Sequence, residues 1–306
     1  MRKIIGEFMT KVAKVFVNCN LCGKNDTELL YVIKGFRIVK CKNCGLIYVN
    51  PRLTKKDLVK IYNEDYFKNK ELYRREKEYC GYLDYVKDEK NIKAVFIPIL
   101  DNIEKIKPRG RILDVGAATG FFLHLAKERG WKVHGIEISK YARDYARKRF
   151  KINIQDCKIT KFKKNFFDVV VLLDVIEHLP NPRQTLEDVN MVLKKDGLLV
   201  LITPDSESYI VKFLLKDKWL EFKRVREHPH FFSARTLIRM LRITGFEVLR
   251  IDSVERVLTI EEVIGNLKFY NKPIFNFIFR FVKFLGIEER GISVNPHYKI
   301  TVYAKK

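Results

Sequence analysis

Two acidic residues near the middle of the chain stand at the ends of neighbouring strand-like runs, on either side of a glycine turn. Asp114 ends the first run, Gly116 and Gly120 lie in the turn, and Glu137 ends the second run. Glycines let the backbone approach a ligand, and the helix predicted after Gly120 offers free N–H groups. A dinucleotide would need glycine in place of Ala118, and Asp114 would repel its phosphates. The two carboxylates therefore predict a ligand with a ribose, a charged amino-acid end and no phosphate, such as S-adenosylmethionine.

Five segments resemble, in order and spacing, the class I S-adenosylmethionine-dependent methyltransferases. They are LDVGAATGFF at 113–122, GIEIS at 135–139, QD at 155–156, FDVVVLLDVIEHLPNP at 167–182 and LKKDGLLVLITP at 193–204. The resemblance implies that the glycine turn cradles the methionine part, that Glu137 binds the ribose and that Asp156 meets the adenine. The cofactor-binding residues that it implies are Asp114, Gly116, Ala118, Gly120, Glu137, Ile138, Asp156, Cys157, Leu173 and Asp174. Ala118 departs from the family, which often has glycine there.

A histidine follows the fourth predicted strand. The motif Asp174–His178 resembles that of ubiquinone-biosynthesis and sugar-modifying methyltransferases, which also ends in Glu-His. Methyl transfer is an in-line displacement, so a hydroxyl or amine acceptor must lose a proton, and His178 is the natural base. His228 and His230 are further candidates, because their segment resembles one that follows the acceptor-pocket roof in those enzymes. One alternative is that His178 and Glu177 only cap a turn or contact the cofactor. Another, which the resemblance allows, is that Asp174, Glu177 and His178 hold a metal.

Four of the six cysteines have the spacing of a metal site. Cys19-x2-Cys22 and Cys41-x2-Cys44 are separated by eighteen residues, within the range of four-thiolate zinc sites. A glycine after each pair allows the tight turn that directs two sulfurs at one ion. Four thiolates leave no open coordination position, so the sequence predicts a structural Zn²⁺ in a zinc ribbon. Two disulfides are the alternative, which a cytosolic location disfavours.

The chain is strongly basic, with 60 Lys and Arg against 37 Asp and Glu and a net charge of +23. Such a charge attracts nucleic acid, anionic lipid or phosphorylated substrates, although a lysine-rich composition explains it equally well. A zinc-ribbon RNA-binding protein or RNA methyltransferase is therefore the alternative function. The motif at 174–178 does not resemble those of RNA base methyltransferases. The basic residues, Lys and Arg, are not interleaved with aromatic residues on one predicted strand face. The favoured acceptor is a small or lipid-linked molecule, such as a saccharide, sugar nucleotide or quinone-like precursor.

Strand-like and helical segments alternate along the second third of the chain. Such alternation predicts an α/β fold, a Rossmann-like doubly wound methyltransferase sheet with ligands beyond the carboxyl ends of its strands. The predicted strands are residues 111–115, 132–138, 152–155, 167–173 and 198–203, followed by a last pair at 246–253 and 297–304. The predicted domains are a zinc ribbon over 1–50, a helical linker or lid over 51–107, and a methyltransferase domain over 108–306 with insertions at 204–232 and 256–296.

The two insertions carry the remaining partner predictions. Five basic residues between Lys216 and Arg226 either hold a phosphate or carboxylate of the acceptor or form a solvated face. The segment 273–285 predicts a helix with a narrow basic stripe, too short to cross a bilayer. It either packs against the catalytic domain, forms a homodimer contact or lies peripherally on a membrane. No apolar run is long enough for a secretory signal, so the chain is predicted to be cytoplasmic, or peripheral at the inner membrane face.

Overall fold

A computed structural model describes residues 13–68, 84–254, 256–260, 264, 272–288, 290–294 and 298–306. The basic segment before residue 13, the middle of the predicted lid at 69–83, and the first residue of the predicted last strand at 297 lie outside the described residues.

The described elements alternate in the order that the sequence indicated. The strands are β1 (Lys14–Val15), β2 (Thr27–Ile33), β3 (Phe36–Cys41), β4 (Ile47–Val49), β5 (Arg52–Leu53), β6 (Arg111–Val115), β7 (Lys132–Ile136), β8 (Phe167–Leu173), β9 (Leu193–Pro204), β10 (His230–Phe231), β11 (Glu247–Ser253), β12 (Arg256–Thr259), β13 (Gly291–Val294) and β14 (Lys299–Lys305). The helices are α1 (Lys55–Val59), α2 (Glu64–Lys68), α3 (Glu89–Ile106), α4 (Phe121–Glu128), α5 (Lys140–Phe150), α6 (Pro182–Val192), α7 (Ala234–Ile243) and α8 (Lys272–Phe284).

A six-stranded sheet in the order β11-β14-β9-β8-β6-β7 forms the centre of the catalytic part. Strands β6 to β9 run parallel, and β14 inserts antiparallel between β9 and β11. The inner strands are buried on both faces, since every residue from Val169 to Leu172 in β8 is buried. Continuous apolar runs of this kind are typical of parallel sheets covered by helices on both sides. The predicted doubly wound α/β fold is therefore confirmed.

Helices cover both faces of this sheet. Leu100 of α3 and Phe122 of α4 belong to the core on one face, together with Val171. Leu186 of α6 and Leu237 of α7 belong to the core on the other face. Because alternate strand residues point to opposite faces, β8 contributes to both cores.

The predicted third strand at 152–155 is wrong. Gln155 forms an isolated parallel bridge with Ile136, and no ladder follows it. Ile152 and Ile154 are buried, so the alternation that suggested a strand reflects the packing of an extended edge segment. Lys151, with a left-handed backbone at φ 54°, turns the chain directly before this segment and shortens it.

The segment from β1 to β5, which we call the ribbon, contains the four cysteines and is joined to the catalytic part by a strand. β2 and β3 form a hairpin whose turn residues, Lys34 and Gly35, both have positive φ, as two-residue hairpins prefer. β10, from the roof segment (residues 204–232), adds to β4 and completes a sheet in the order β10-β4-β3-β2. The ribbon is therefore continuous with the strand that carries His230.

The two insertions differ in structure. The roof segment consists of short helical turns at Ile210–Leu215, Lys216–Lys218 and Leu220–Arg224 before β10 begins. In the later insertion β12 and β13 pair antiparallel, and the helix predicted at 273–285 is confirmed as α8.

Candidate active site

The turn after β6 bends back against the end of β7. Gly116 and Gly120 have φ of +79° and +82°, which L side chains rarely adopt, and the N–H of Gly116 donates to the carbonyl of Ile136 at 2.8 Å. A Cβ on Gly116 would lie 2.6 Å from Cγ2 of Val175. The local packing therefore requires glycine at position 116, and it holds the start of α4 beside the strand ends.

Asp114 and Glu137 lie together at one edge of the sheet. Asp114 is opposite Gly135 in the β6–β7 ladder, two residues before Glu137. Burial and the negative charge of Glu137 raise the pKa of Asp114 to about 8. Burial also raises the pKa of Glu137, although the N–H groups of Ser139 and Ala118 donate to its two oxygens at 2.8 and 3.0 Å. The structure thus brings these two predicted residues into one electrostatically coupled pair.

Two buried hydroxyl groups beside this pair lack a hydrogen-bond partner within the described part of the chain. They are Oγ1 of Thr119, in the glycine turn, and Oγ of Ser139, directly before α5. Ser139 also lines a cavity of 680 Å³ between α2 and α5, with Asn63 and Tyr141. Buried polar atoms without partners are costly, so such atoms mark positions that a ligand or water fills. The unpartnered hydroxyls of Thr119 and Ser139 therefore mark where a polar ligand can bind, and Ser139, unlike the two carboxylates, also lines the cavity.

The predicted adenine-side residues lie on the surface near α5. Ile138 is exposed, and Asp156 forms an ion pair with Arg143 at 3.2 Å. Arg143 also donates to the carbonyl oxygens of Glu137 and Ile138, at 2.7 and 2.8 Å. Cys157 is half-buried, and burial raises the pKa of its thiol. The sequence did not single out Arg143, because α5 contains several Lys and Arg with nothing to separate them.

Leu173 and Asp174 lie where β8 ends, next to the valine that covers Gly116. Asp174 has a φ of 57°, and both of its carboxylate oxygens accept hydrogen bonds from Nζ of Lys299 at 2.7 Å. Lys299 begins β14, far along the chain, and no motif in the sequence points to it. The negative charge of Asp174 is therefore compensated by a lysine from a distant strand.

His178 ends the helical turn Ile176–His178 that follows β8. Its Nδ1 lies 2.9 Å from the carbonyl oxygen of Glu227 and 3.0 Å from the hydroxyl of Tyr62. A carbonyl can only accept, so Nδ1 carries the proton and Nε2 keeps its lone pair. Burial and the positive charge of Arg224 lower the pKa of His178 to about 3. His178 is therefore a neutral imidazole in a fixed tautomer, with Nε2 able to accept a proton.

His228 and His230 are both buried but have different neighbours. The ring centroid of His228 lies 4.3 Å from that of His178, with the rings nearly perpendicular. Nε2 of His230 lies 3.2 Å from Nη1 of Arg52, in the ribbon. Burial lowers the pKa of both rings well below the usual value. The structure thus brings His178 and His228 into contact and leaves His230 against the ribbon.

Acidic side chains surround the two touching histidines. Arg224 is ion-paired with Glu227, whose carbonyl contacts His178, and its Nη2 has no hydrogen-bond partner within the described residues. Glu177 accepts a hydrogen bond from the Thr203 hydroxyl at 3.0 Å, and burial with the charge of Asp174 raises the pKa of Glu177 to about 8. Ligand atoms of three side chains lie within 4.8 Å of one another, close enough to hold a cation: Glu177, His178 and His228.

The four ribbon cysteines converge on one point. The sulfurs of Cys19 and Cys44 are 3.4 Å apart, those of Cys22 and Cys41 are 3.5 Å apart, and all four lie within 4.8 Å of one another. A disulfide would bring two sulfurs to about 2.05 Å, whereas thiolates around a tetrahedral zinc lie about 3.8 Å apart. The cysteines are free thiols, and they could hold a structural zinc.

Comparisons with known proteins place this chain in a family. A family model described as a methyltransferase domain matches residues 88–251, more than half of the chain. The chain belongs to this methyltransferase family. The methyltransferase is 31% identical over 167 residues to the uncharacterized protein MJ1123 of Methanocaldococcus jannaschii, across 51% of this chain and 78% of that protein.

Named enzymes match the methyltransferase more distantly. The ubiquinone biosynthesis O-methyltransferase of Rickettsia canadensis is 28% identical over 147 residues, across 45% of this chain and 62% of that enzyme. The chain therefore spans a little under two thirds of that relative. A solved S-adenosylmethionine-dependent methyltransferase from Archaeoglobus fulgidus is 20% identical, with a TM-score of 0.49. The match covers 72% of this chain and 99% of the Archaeoglobus protein.

S-adenosylmethionine is the cofactor of this family, and the geometry around the glycine turn of the methyltransferase fits it. The unpartnered hydroxyls of Thr119 and Ser139 offer hydrogen bonds to a polar ligand, and the buried Asp114–Glu137 pair can receive a cationic amino group or ribose hydroxyls. The relatives give no support to the RNA-binding alternative. Within the described ranges, no helix is long and apolar enough to cross a bilayer.

Proposed function

We propose that this methyltransferase transfers a methyl group to a hydroxyl of a small acceptor, free or lipid-linked, with His178 as the base. The proposed acceptor classes are saccharides, sugar nucleotides and quinone-like precursors. The contact between Nδ1 of His178 and the carbonyl of Glu227 carries the proposal, because it fixes the tautomer that leaves Nε2 as a proton acceptor. The names of the Rickettsia and Neisseria relatives, both ubiquinone biosynthesis O-methyltransferases, support an oxygen acceptor.

The cofactor-binding residues keep the roles that the family resemblance implied. Asp114 and the glycine turn would hold the amino-acid end, Glu137 the ribose, and Asp156 the adenine amino group. The lowered charge of the Asp114–Glu137 pair supports this arrangement, because one proton shared between two buried acids can leave when a cationic group arrives. Arg143 would position two of these residues, since it contacts both Asp156 and the backbone of Glu137.

The proposed reaction requires one proton transfer and one displacement. S-adenosylmethionine, when bound, supplies a sulfonium methyl group. The acceptor oxygen provides the electron pair for the new carbon–oxygen bond, and the sulfur leaves with the electrons of the carbon–sulfur bond. The hydroxyl proton passes to Nε2 of His178, while Nδ1–H stays with Glu227. The negative charge of Asp174 raises the pKa of His178, whereas burial, Arg224 and Lys299 lower it, so the ring takes the proton as methyl transfer makes the acceptor oxygen acidic.

Replacing His178 by asparagine tests the assignment of the base. The asparagine amide N–H can replace Nδ1–H toward Glu227, but the side chain has no basic nitrogen. We expect kcat to fall by about 10²- to 10⁴-fold on the best acceptor of a panel of hydroxylated small molecules. The dissociation constant for S-adenosylmethionine, measured by calorimetry, should not change.

His124→Asn is the matched control, because His124 lies on α4 with Glu128 as its partner and takes no part in the proposed chemistry. Full activity of His178→Asn together with loss of activity in His228→Asn would move the base to the neighbouring ring. Full activity of both variants would overturn the proposal of a histidine base and leave the cofactor site intact.

A further inference from the structure

One face of α8 exposes three phenylalanines to solvent. Phe277, Phe281 and Phe284 are 76%, 58% and 84% exposed. Their spacing of four and three residues places them on the same side of the helix. Single exposed apolar residues are ordinary on protein surfaces, but an aligned row of aromatic side chains marks a contact surface.

The opposite face of α8 is less exposed than the row of phenylalanines. Val282 is buried, and Phe275 stacks on Phe279 with ring centroids 5.3 Å apart. The exposed row is therefore a second apolar face of the helix, distinct from the face that contains Val282. The helix has an apolar side that packs inward and a second apolar side that points outward, with polar residues confined between them.

The residues between the two apolar sides are positively charged or neutral. Arg280 and Lys283 are exposed, and the sequence of α8 contains no acidic residue. This border of cations beside a row of phenylalanines is the pattern of helices that lie in the plane of a membrane interface. A helix of thirteen residues is about 20 Å long, which suits lying on a bilayer and not crossing it.

The positive charge of the chain favours a lipid bilayer over a second copy of the chain as the partner of this face. Two copies that each carry a net charge of +23 repel one another, and contact through α8 would bring Arg280 and Lys283 of both copies close together. An anionic lipid surface attracts the same charges, and it can accept the phenylalanine rings between its headgroups.

We infer that the outer face of α8 docks the protein on an anionic lipid bilayer, with Phe277, Phe281 and Phe284 inserted at the level of the headgroups. The inference does not depend on the proposed function. A chain docked in this way would still methylate a water-soluble acceptor if it has one, and its affinity for S-adenosylmethionine in solution would be unaffected.

Vesicle flotation tests the inference. The full chain should float with vesicles of phosphatidylcholine that contain a minor fraction of phosphatidylglycerol, and much less with phosphatidylcholine alone. The triple variant Phe277→Ser, Phe281→Ser, Phe284→Ser should lose at least about tenfold in partitioning, because apolar insertion drives interfacial binding. Arg280→Gln and Lys283→Gln should each lower partitioning on the anionic vesicles by about fivefold, and added salt should act in the same direction.

Phe16→Ser is the matched control, because Phe16 is also strongly exposed but lies in the ribbon, away from α8 in sequence. It should float as the unaltered chain does. Light scattering and S-adenosylmethionine affinity of the triple variant establish that it is folded. Equal flotation of the triple variant and the unaltered chain would overturn the inference. So would a dimer of the unaltered chain in solution that becomes a monomer in the triple variant, because a second copy would then be the occupant of this face.

Discussion

His230 lies directly opposite Tyr48 in the antiparallel ladder that joins β10 to β4. Next to this pair, the N–H of Val49 donates to the carbonyl of Pro229 at 3.0 Å, and Nη1 of Arg52 lies 3.2 Å from Nε2 of His230. The ribbon therefore supplies both the strand and the arginine that hold the end of the roof segment. The position of His228, two residues before His230, therefore depends on a sheet whose strand β3 ends at Cys41, one of the four clustered cysteines.

Removal of the metal should disorder the roof segment before it affects cofactor binding. The protein should contain one zinc per chain, and chelation or Cys41→Ser should lower the midpoint of thermal unfolding by more than about 5 °C, because the binding energy of a structural zinc is part of the folding energy. Elemental analysis and calorimetry measure the two quantities. Asn43→Ser is the control, since Asn43 lies between the two cysteines of the second pair but is exposed and is not one of the four clustered residues. A metal-free protein with an unchanged midpoint would contradict the zinc assignment.

Gly116→Ala should damage both the fold and the cofactor site. The new Cβ would meet Val175 at 2.6 Å, and the φ of +79° is unfavourable for alanine. Gly130→Ala is the matched control, because Gly130 also has a positive φ, while the nearest atom to its added Cβ is 3.8 Å away. We expect Gly130→Ala to cost about 1 kcal/mol of stability from the backbone alone. Gly116→Ala should cost more and should also weaken S-adenosylmethionine binding, measured by urea unfolding and calorimetry.

Glu137→Gln should weaken S-adenosylmethionine binding by at least about tenfold. The amide keeps the size of the side chain but can accept only one of the two N–H bonds from Ala118 and Ser139, and it places an N–H where a ribose hydroxyl would donate. Calorimetry measures the effect, with Glu128→Gln on the exposed side of α4 as the control. If the affinities of both variants equal that of the unaltered chain, Glu137 does not bind the ribose.

Stability of the cofactor-free protein should fall as pH rises because of Glu177. Its pKa is raised from 4.5 to about 8 by burial and by Asp174, so the folded protein keeps a proton that the unfolded chain releases. The contribution to stability is therefore fully present below pH 4.5 and is lost as pH rises through about 8. Within that window Glu177→Gln should flatten the decline, by up to about 1.4 kcal/mol per pH unit.

Urea unfolding at several pH values measures this slope. The pKa of Asp114 is raised in the same way, so this residue also makes stability fall as pH rises. Glu177→Gln should therefore remove only part of the total decline. Glu187→Gln is the control, because Glu187 is exposed and pairs with Arg183 on α6. Identical slopes for the unaltered chain and Glu177→Gln would show that Glu177 is already ionised in the folded protein.

Local sequence signals predicted the strands and helices that begin or end at turn or capping residues. The first and fourth predicted strands match β6 and β8 to the residue, since each is an apolar run with turn residues at its end. Ser233, a residue type favoured at helix starts, caps α7 with a reciprocal hydrogen bond to Thr236. By contrast β9 begins at Leu193 and not at Leu198, because Leu193 pairs through its backbone with Phe167 while polar side chains follow it.

Contacts between distant segments could not be predicted in this way. The lysine that neutralises Asp174 and the carbonyl that fixes His178 carry no local signal, because a salt bridge or a backbone acceptor needs only proximity and no motif. The division of the chain at residues 50 and 107 and the roles of the predicted site residues stay predictions.

The family likeness begins at residue 88, yet two groups that touch the candidate histidines come from before it. Tyr62 reaches His178, and Arg52 reaches His230. A fragment trimmed to the recognised family region would retain the cofactor turn but lose the hydroxyl beside His178 and the guanidinium beside His230. In this protein, the segment that the family shares is shorter than the segment that supplies contacts to the candidate histidines.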